Sequence, residues 1–157
     1  MNIKEEIIRI VTDMGNQIGI DVMGDLFQKE STSSKKKKIG SNQFRDIASM
    51  CVKAEIYEEI ELMIKYSIAK ASEGKSWKLK CKNNQSFGSI ILNNMTKVKA
   101  LDENNVLANM EFFFGYLYWQ ARIWADMYCS DSNKNQNNNK NNNKQTPYNQ
   151  NRQTNRR

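Results

Sequence analysis

Apolar side chains recur at steps of three and four along residues 3–28: Ile3, Ile7, Val11, Met14, Ile18, Val22 and Leu26 or Phe27. That spacing predicts one helical stripe, with Asn2 as its N-cap. Gly15, Gly19 and Gly24 interrupt it, and each costs about 1 kcal/mol relative to alanine, so this helix is expected to fray or kink unless packing holds it. A polar stretch, KESTSSKKKKIGS, follows and reads as an exposed linker. Ser41 or Asn42 then caps a second helix with Phe44, Ile47, Ala48 and Cys51 on one face. The step of five from Cys51 to Ile56 breaks the phase near Ala54 or Glu55, after which Ile60, Met63 or Ile64, and Ser67 to Ala71 resume it. The pattern fits two helices or one kinked one.

Residues 72–86 are a connection by their glycine and asparagines, although the alternation of Trp77, Leu79 and Cys81 with lysines also suits a short strand. Ser86 caps a helix carrying Phe87, Ile90, Ile91, Met95, Val98 and Leu101. The last helix starts between Asp102 and Asn105 and runs to about Tyr128, with Val106, Leu107, Met110, Phe113, Phe114, Leu117, Ala121 and Trp124 in register. The expected architecture is all-α: a compact bundle of about five helices over residues 1–129. Residues 130–157 form a low-complexity basic tail with eleven asparagines and one aromatic residue. Such a segment buries too little apolar surface to offset its ordering entropy and is expected to be disordered. It reads as a loose electrostatic arm or as a solvated extension. No period of 20–50 residues repeats, which excludes a solenoid.

Composition then narrows the chemistry. The chain has 157 residues, a net charge of +7 and no histidine. Serine–histidine and cysteine–histidine catalysis, histidine-ligated zinc and an imidazole base are therefore excluded. Cys51, Cys81 and Cys129 lie far apart, an odd set that fits neither a zinc site nor a disulfide framework, as expected for a reducing cytoplasm. The charged, interrupted start is unlike a signal peptide, and no apolar run is long enough to predict a membrane span. No phosphate loop, dinucleotide fingerprint or nucleophile elbow occurs, so no catalytic residue, cofactor or metal is expected. Glu55, Glu58, Glu59 and Glu61 read as a solvated face near a helix N-terminus, where negative charge is favoured.

The charge is unevenly placed. Residues 1–34 and 100–129 each sum to −3, residues 35–99 to +8 and the tail to +5. Lys35–Lys38 form one basic run, and Lys75, Lys78, Lys80, Lys82, Lys97 and Lys99 follow one another with no acidic residue between them. Uncompensated lysine suits phosphate contact. Trp77 among them is a candidate to stack on a base, or to cover the loop from water. With Arg45, Lys53, Lys65 and Lys70 these residues allow a basic face. The segment from Met110 to Trp124 carries more aromatic side chains than a one-sided helix buries, so it is either covered all round or meets a partner.

Three short motifs carry a family resemblance. GSNQFRDI places Ser41, Gln43, Phe44 and Arg45 at the opening of a helix; LMIKYSIAKA supplies Leu62, Lys65 and Lys70; MEFFFGYLY supplies Glu111, Gly115 and Tyr116. In this order, across residues 40–120, they resemble the small helical subunit of type III-A CRISPR effector complexes, the Csm type. Leu117 and Tyr118 stand where that family carries a His-Lys pair, and Arg122 is the nearest replacement, one turn on.

The resemblance implies a non-catalytic, RNA-binding structural subunit of an antiviral complex. Its copies would stack head to tail and line the guide RNA–target RNA duplex through backbone contacts, with other effector subunits as neighbours and no membrane. The expected backbone contacts are Arg45, Lys53, Lys65, Lys70, Lys78, Lys80 and Arg122, and the expected self-association residues are Phe112, Tyr116 and Trp119. The competing expectation is a helical protein–protein adaptor whose basic loop is merely solubilising.

Overall fold

The computed structural model describes residues 2–28 and 38–129. Helix α1 (Ile3–Ile18) starts where the Asn2 side chain accepts from the Lys4 amide at 3.1 Å, and it buries Ile7, Val11, Met14 and Ile18. It ends at Gly19, whose φ of 91° lies in the left-handed region that favours glycine. A new helix, α2 (Ile20–Leu26), follows at once. The single N-terminal stripe is thus two helices, which makes six α-helices in the described residues where about five were expected. The kink has a definite site because, of the three glycines, only Gly19 sits at positive φ.

Two short strands were not legible in the sequence. Phe27–Gln28 (β1) pairs in parallel with Ile39–Gly40 (β2), Phe27 against Ile39. Both leading side chains are buried, so the pairing follows from two apolar residues entering the core side by side. The Lys35–Lys38 run, apart from Lys38, and the whole expected tail lie outside the described residues.

Helices α3 (Asn42–Lys53) and α4 (Tyr57–Lys70) are separate, broken at Ala54 as the phase shift predicts. Ser41 precedes α3, but its hydroxyl makes no capping bond. Residues 76–84 are not a strand: Ser76–Lys78 and Lys82–Asn84 are 3₁₀ turns, and only Lys80 and Ser86 form an isolated antiparallel bridge. Positive φ at Ser76, Asn83 and Asn84 prevents an extended run. The Ser86 hydroxyl then accepts from the Ser89 amide at 3.2 Å and opens α5 (Phe87–Leu101). A 3₁₀ turn capped by Asp102 leads into α6 (Val106–Tyr128).

Helix α6 is the axis of the bundle. It packs against α3 and α1, with α5 closing the core behind it. The Lys4 ammonium sits over Phe112, and Gly15 lies against Trp124, so α1 and α6 run in the same direction. Arg45 meets Tyr118 while Glu111 influences Cys51, so α3 runs the other way. The core is strongly aromatic: Phe27, Phe44, Phe87, Trp77 and Trp124 form a continuous set of ring contacts with centroids 5.5–6.3 Å apart.

Candidate nucleic-acid interface

Arg45 leaves the first turn of α3 with its guanidinium 5.7 Å from the centroid of the Tyr118 ring. From α6, the Arg122 guanidinium lies 5.8 Å from the same centroid, and its Nη1 donates to Tyr118 Oη over 3.0 Å. Residues 118 and 122 are one turn apart, so their meeting is a local consequence of helical spacing. Arg45 joins them because the antiparallel α3–α6 pairing carries it there. Both arginines are exposed. Each cation gains about 0.5–1 kcal/mol from the ring face at such a surface site.

Two guanidiniums from different helices thus reach one ring, 5.7 and 5.8 Å from its centroid, which gathers positive charge at this exposed place. Arginine's planar fork matches the oxygens of a phosphodiester, so the arrangement can hold a phosphate without any base contact.

More cationic residues gather at the same end of the bundle. Gln43 and Asp46 at the start of α3 share a groove of about 350 Å³ with Lys70 at the end of α4 and Ser76 in the 3₁₀ turn that follows. The Lys70 ammonium lies 5.4 Å above the Tyr66 ring. Lys78 donates to the Ala69 carbonyl at 3.4 Å and stands 3.5 Å from Glu73. Positive charge at this helix C-terminus is favoured by the α4 dipole. Lys80 is exposed beyond the first 3₁₀ turn. Two of the expected contacts fall elsewhere: Lys65 turns onto Glu61 at 2.9 Å, and Lys53 closes the far end of α3.

That far end is acidic. Glu55, Glu58 and Glu103 line an open cleft with Tyr57 between the α3–α4 turn and the start of α6. Burial first, then the Glu61 and Glu58 carboxylates, raises the Tyr57 phenol above its usual range, while the Lys99 ammonium sits 4.5 Å over its ring. The carboxylates face solvent at a helix start. Among the described residues no group of three Cys, Asp or Glu side chains is placed to hold a metal ion, and no helix is long and apolar enough to cross a membrane.

Trp77 does not face the lysines. It is 5% exposed and packs 5.5 Å from the Phe87 ring and 6.2 Å from that of Phe44. Of the two roles open to it, base stacking is set aside: its rings belong to the core. Phe112 and Tyr116 are half-buried, whereas Trp119 is 62% exposed. The platform residue Tyr118 was missed by sequence reasoning. Its spacing of four from Arg122 was a usable signal, but the approach of Arg45 across helices was not.

Comparison of the chain with known protein families, curated proteins and solved structures returns no match.

Proposed function

We propose that this chain is a non-catalytic RNA-binding subunit of a type III CRISPR effector complex, present in several copies and contacting the backbone of the guide RNA–target RNA duplex in the cytoplasm. The observation that carries the reading is the convergence of Arg45 and Arg122 on Tyr118. It supports phosphate contact at the positions to which the family resemblance assigns it. Tyr118 occupies a place where that family has a basic residue, and the two arginines restore the charge around it. Lys70 and Lys80 extend the cationic end, with Lys78 beside them already facing Glu73, and a spread of charge suits a rod-like polyanion better than a single small anion.

The test is binding of an RNA duplex across a salt series. Arg45→Glu with Arg122→Glu is expected to abolish most sequence-independent affinity and to make the salt dependence shallower. Parental affinity and slope in that variant would overturn the reading. They would leave the helical adaptor, which the exposed Val52, Leu62 and Tyr66 on α3 and α4 favour.

A further inference from the structure

Beside the arginine cluster, the outward face of α6 carries a second and apolar feature. Phe112, Tyr116, Trp119 and Ile123 follow one another at steps of four, three and four on one side of the helix. Phe112 stacks on Tyr116, centroids 6.1 Å apart at 15°, and Tyr116 lies 5.8 Å from Trp119. Trp119 is 62% exposed, Ile123 51% and Met127 62%. The seam therefore ends in open, water-facing apolar surface rather than in the core. Alternating steps of four and three are the spacing of a two-helix seam.

We propose that a second copy of this chain covers this face, with the two α6 helices antiparallel. The seam is complementary to itself in that direction. Phe112 comes opposite Ile123 of the partner subunit and Tyr116 opposite Trp119 of the partner subunit, and the two-fold repeats both contacts. The flank toward α3 is complementary as well. Gly115 has no side chain, and a Cβ there would meet nothing within 4 Å. The same register sets Arg122 over Gly115 of the partner subunit. Its guanidinium, which keeps its bond to Tyr118 Oη, then lies about one turn from Glu111 of the partner subunit, a charge of opposite sign. Both charged residues are exposed. On the other flank Ile8, 47% exposed, lies one turn beyond Lys4 on α1 and widens the apolar strip. A two-fold pair is closed, so this contact is distinct from an open head-to-tail stack and goes beyond the proposed function.

The test uses the full chain without RNA, so its failure and that of the RNA reading are told apart. Sedimentation equilibrium is expected to show a monomer–dimer equilibrium. Trp119→Glu and Ile123→Glu, both at exposed sites, should each raise its midpoint by about tenfold or more. A chain that stays monomeric up to hundreds of micromolar overturns the proposal, as does a dimer that neither variant weakens. Direction is read in a Cys129→Ser background under mild oxidation. A mixture of Phe112→Cys and Ile123→Cys chains should cross-link between the two variants. In antiparallel helices two residues at 112 stand about 16 Å apart along the seam, so disulfides within Phe112→Cys alone would overturn the antiparallel register.

Discussion

Phe27 stacks on Trp124, with ring centroids 5.7 Å apart and planes 24° from parallel. The contact joins the end of the N-terminal helices to the last turns of α6, across most of the described chain. Phe27 also meets Phe44 and Phe87 edge-on, so one ring from a two-residue strand links α3, α5 and α6. Next to it, Cys129 Sγ lies 3.0 Å from the Phe27 carbonyl. The C-terminal end of α6 is thus held by Phe27, which the N-terminal stripe offered only as an alternative to Leu26, and by Cys129, which lies outside any stripe.

Phe27→Ala is expected to cost about 3–5 kcal/mol, because a large, fully buried ring is removed from among four others that cannot all move in. Urea unfolding followed by far-ultraviolet circular dichroism measures it. A loss below about 1 kcal/mol would mean that the strand is not part of the cooperative core.

Gly88 shows the opposite constraint. A Cβ there would collide with Ile68 Cγ1 and stand 3.0 Å from the Trp77 carbonyl. Gly88→Ala should therefore destabilise by about 1–3 kcal/mol through overpacking, although alanine is the better helix former. Adding Ile68→Ala should relieve part of that strain, so the double variant is expected to fall short of the sum of the singles. Additive losses would show that the two residues do not compete for the same space.

Much of the fold was legible because burial follows helical spacing. The stripe from Ile7 to Ile18 and that from Met110 to Trp124 are buried as their periods predict. The break at Ala54 was visible as a phase shift. What was not legible depends on backbone torsion and on partners distant in sequence. Alternation over 77–81 suggested a strand, but the positive φ at Ser76 turns the chain instead and drives Trp77 inward. The β1–β2 pair is too short for any period.

Cys51 and Cys81 should be unreactive thiols in the folded protein. Burial, then the Glu111 carboxylate, pushes Cys51 from an ordinary 9.0 up to about 12, and burial pushes Cys81 up to about 11. A thiol pKa raised by folding means that the unfolded chain ionises first. The stability it contributes is full below pH 9.0 and is lost as pH rises toward about 12. Urea midpoints should accordingly fall above pH 9.0, and the fall should be shallower in Cys51→Ala. At pH 8 a disulfide reagent should modify half-buried Cys129 first, the other two waiting for unfolding. Prompt modification of all three would contradict the burial of Cys51 and Cys81.

The candidate site was only half legible for a related reason. Charge along the chain located the basic middle third, but it could not tell a free cation from a paired one. Lys65 was as good a candidate as Arg45 until Glu61, one turn away, was seen to engage it. Nor does chain order reveal that Lys53 and Arg45, on the same helix, stand at acidic and basic ends of the bundle.

That division makes a graded prediction for RNA binding. Arg45→Ala removes a cation fixed on Tyr118 and should lower the slope of log affinity against log salt by about one, the loss of one phosphate contact. Tyr118→Phe keeps the ring but takes away the hydroxyl that accepts from Arg122, so it should weaken binding less than Arg45→Ala. Lys53→Ala, at the acidic end, should leave the slope at the parental value. Lys65→Ala should have a small effect, since its ammonium already faces Glu61 at 2.9 Å, although an exposed pair of this kind is held by no more than about 1 kcal/mol. Fluorescence anisotropy with an unrelated RNA duplex at a series of salt concentrations reads all four variants. Equal losses from Lys53→Ala and Arg45→Ala would mean that binding follows net charge rather than the cluster on Tyr118, and the proposed site would fall.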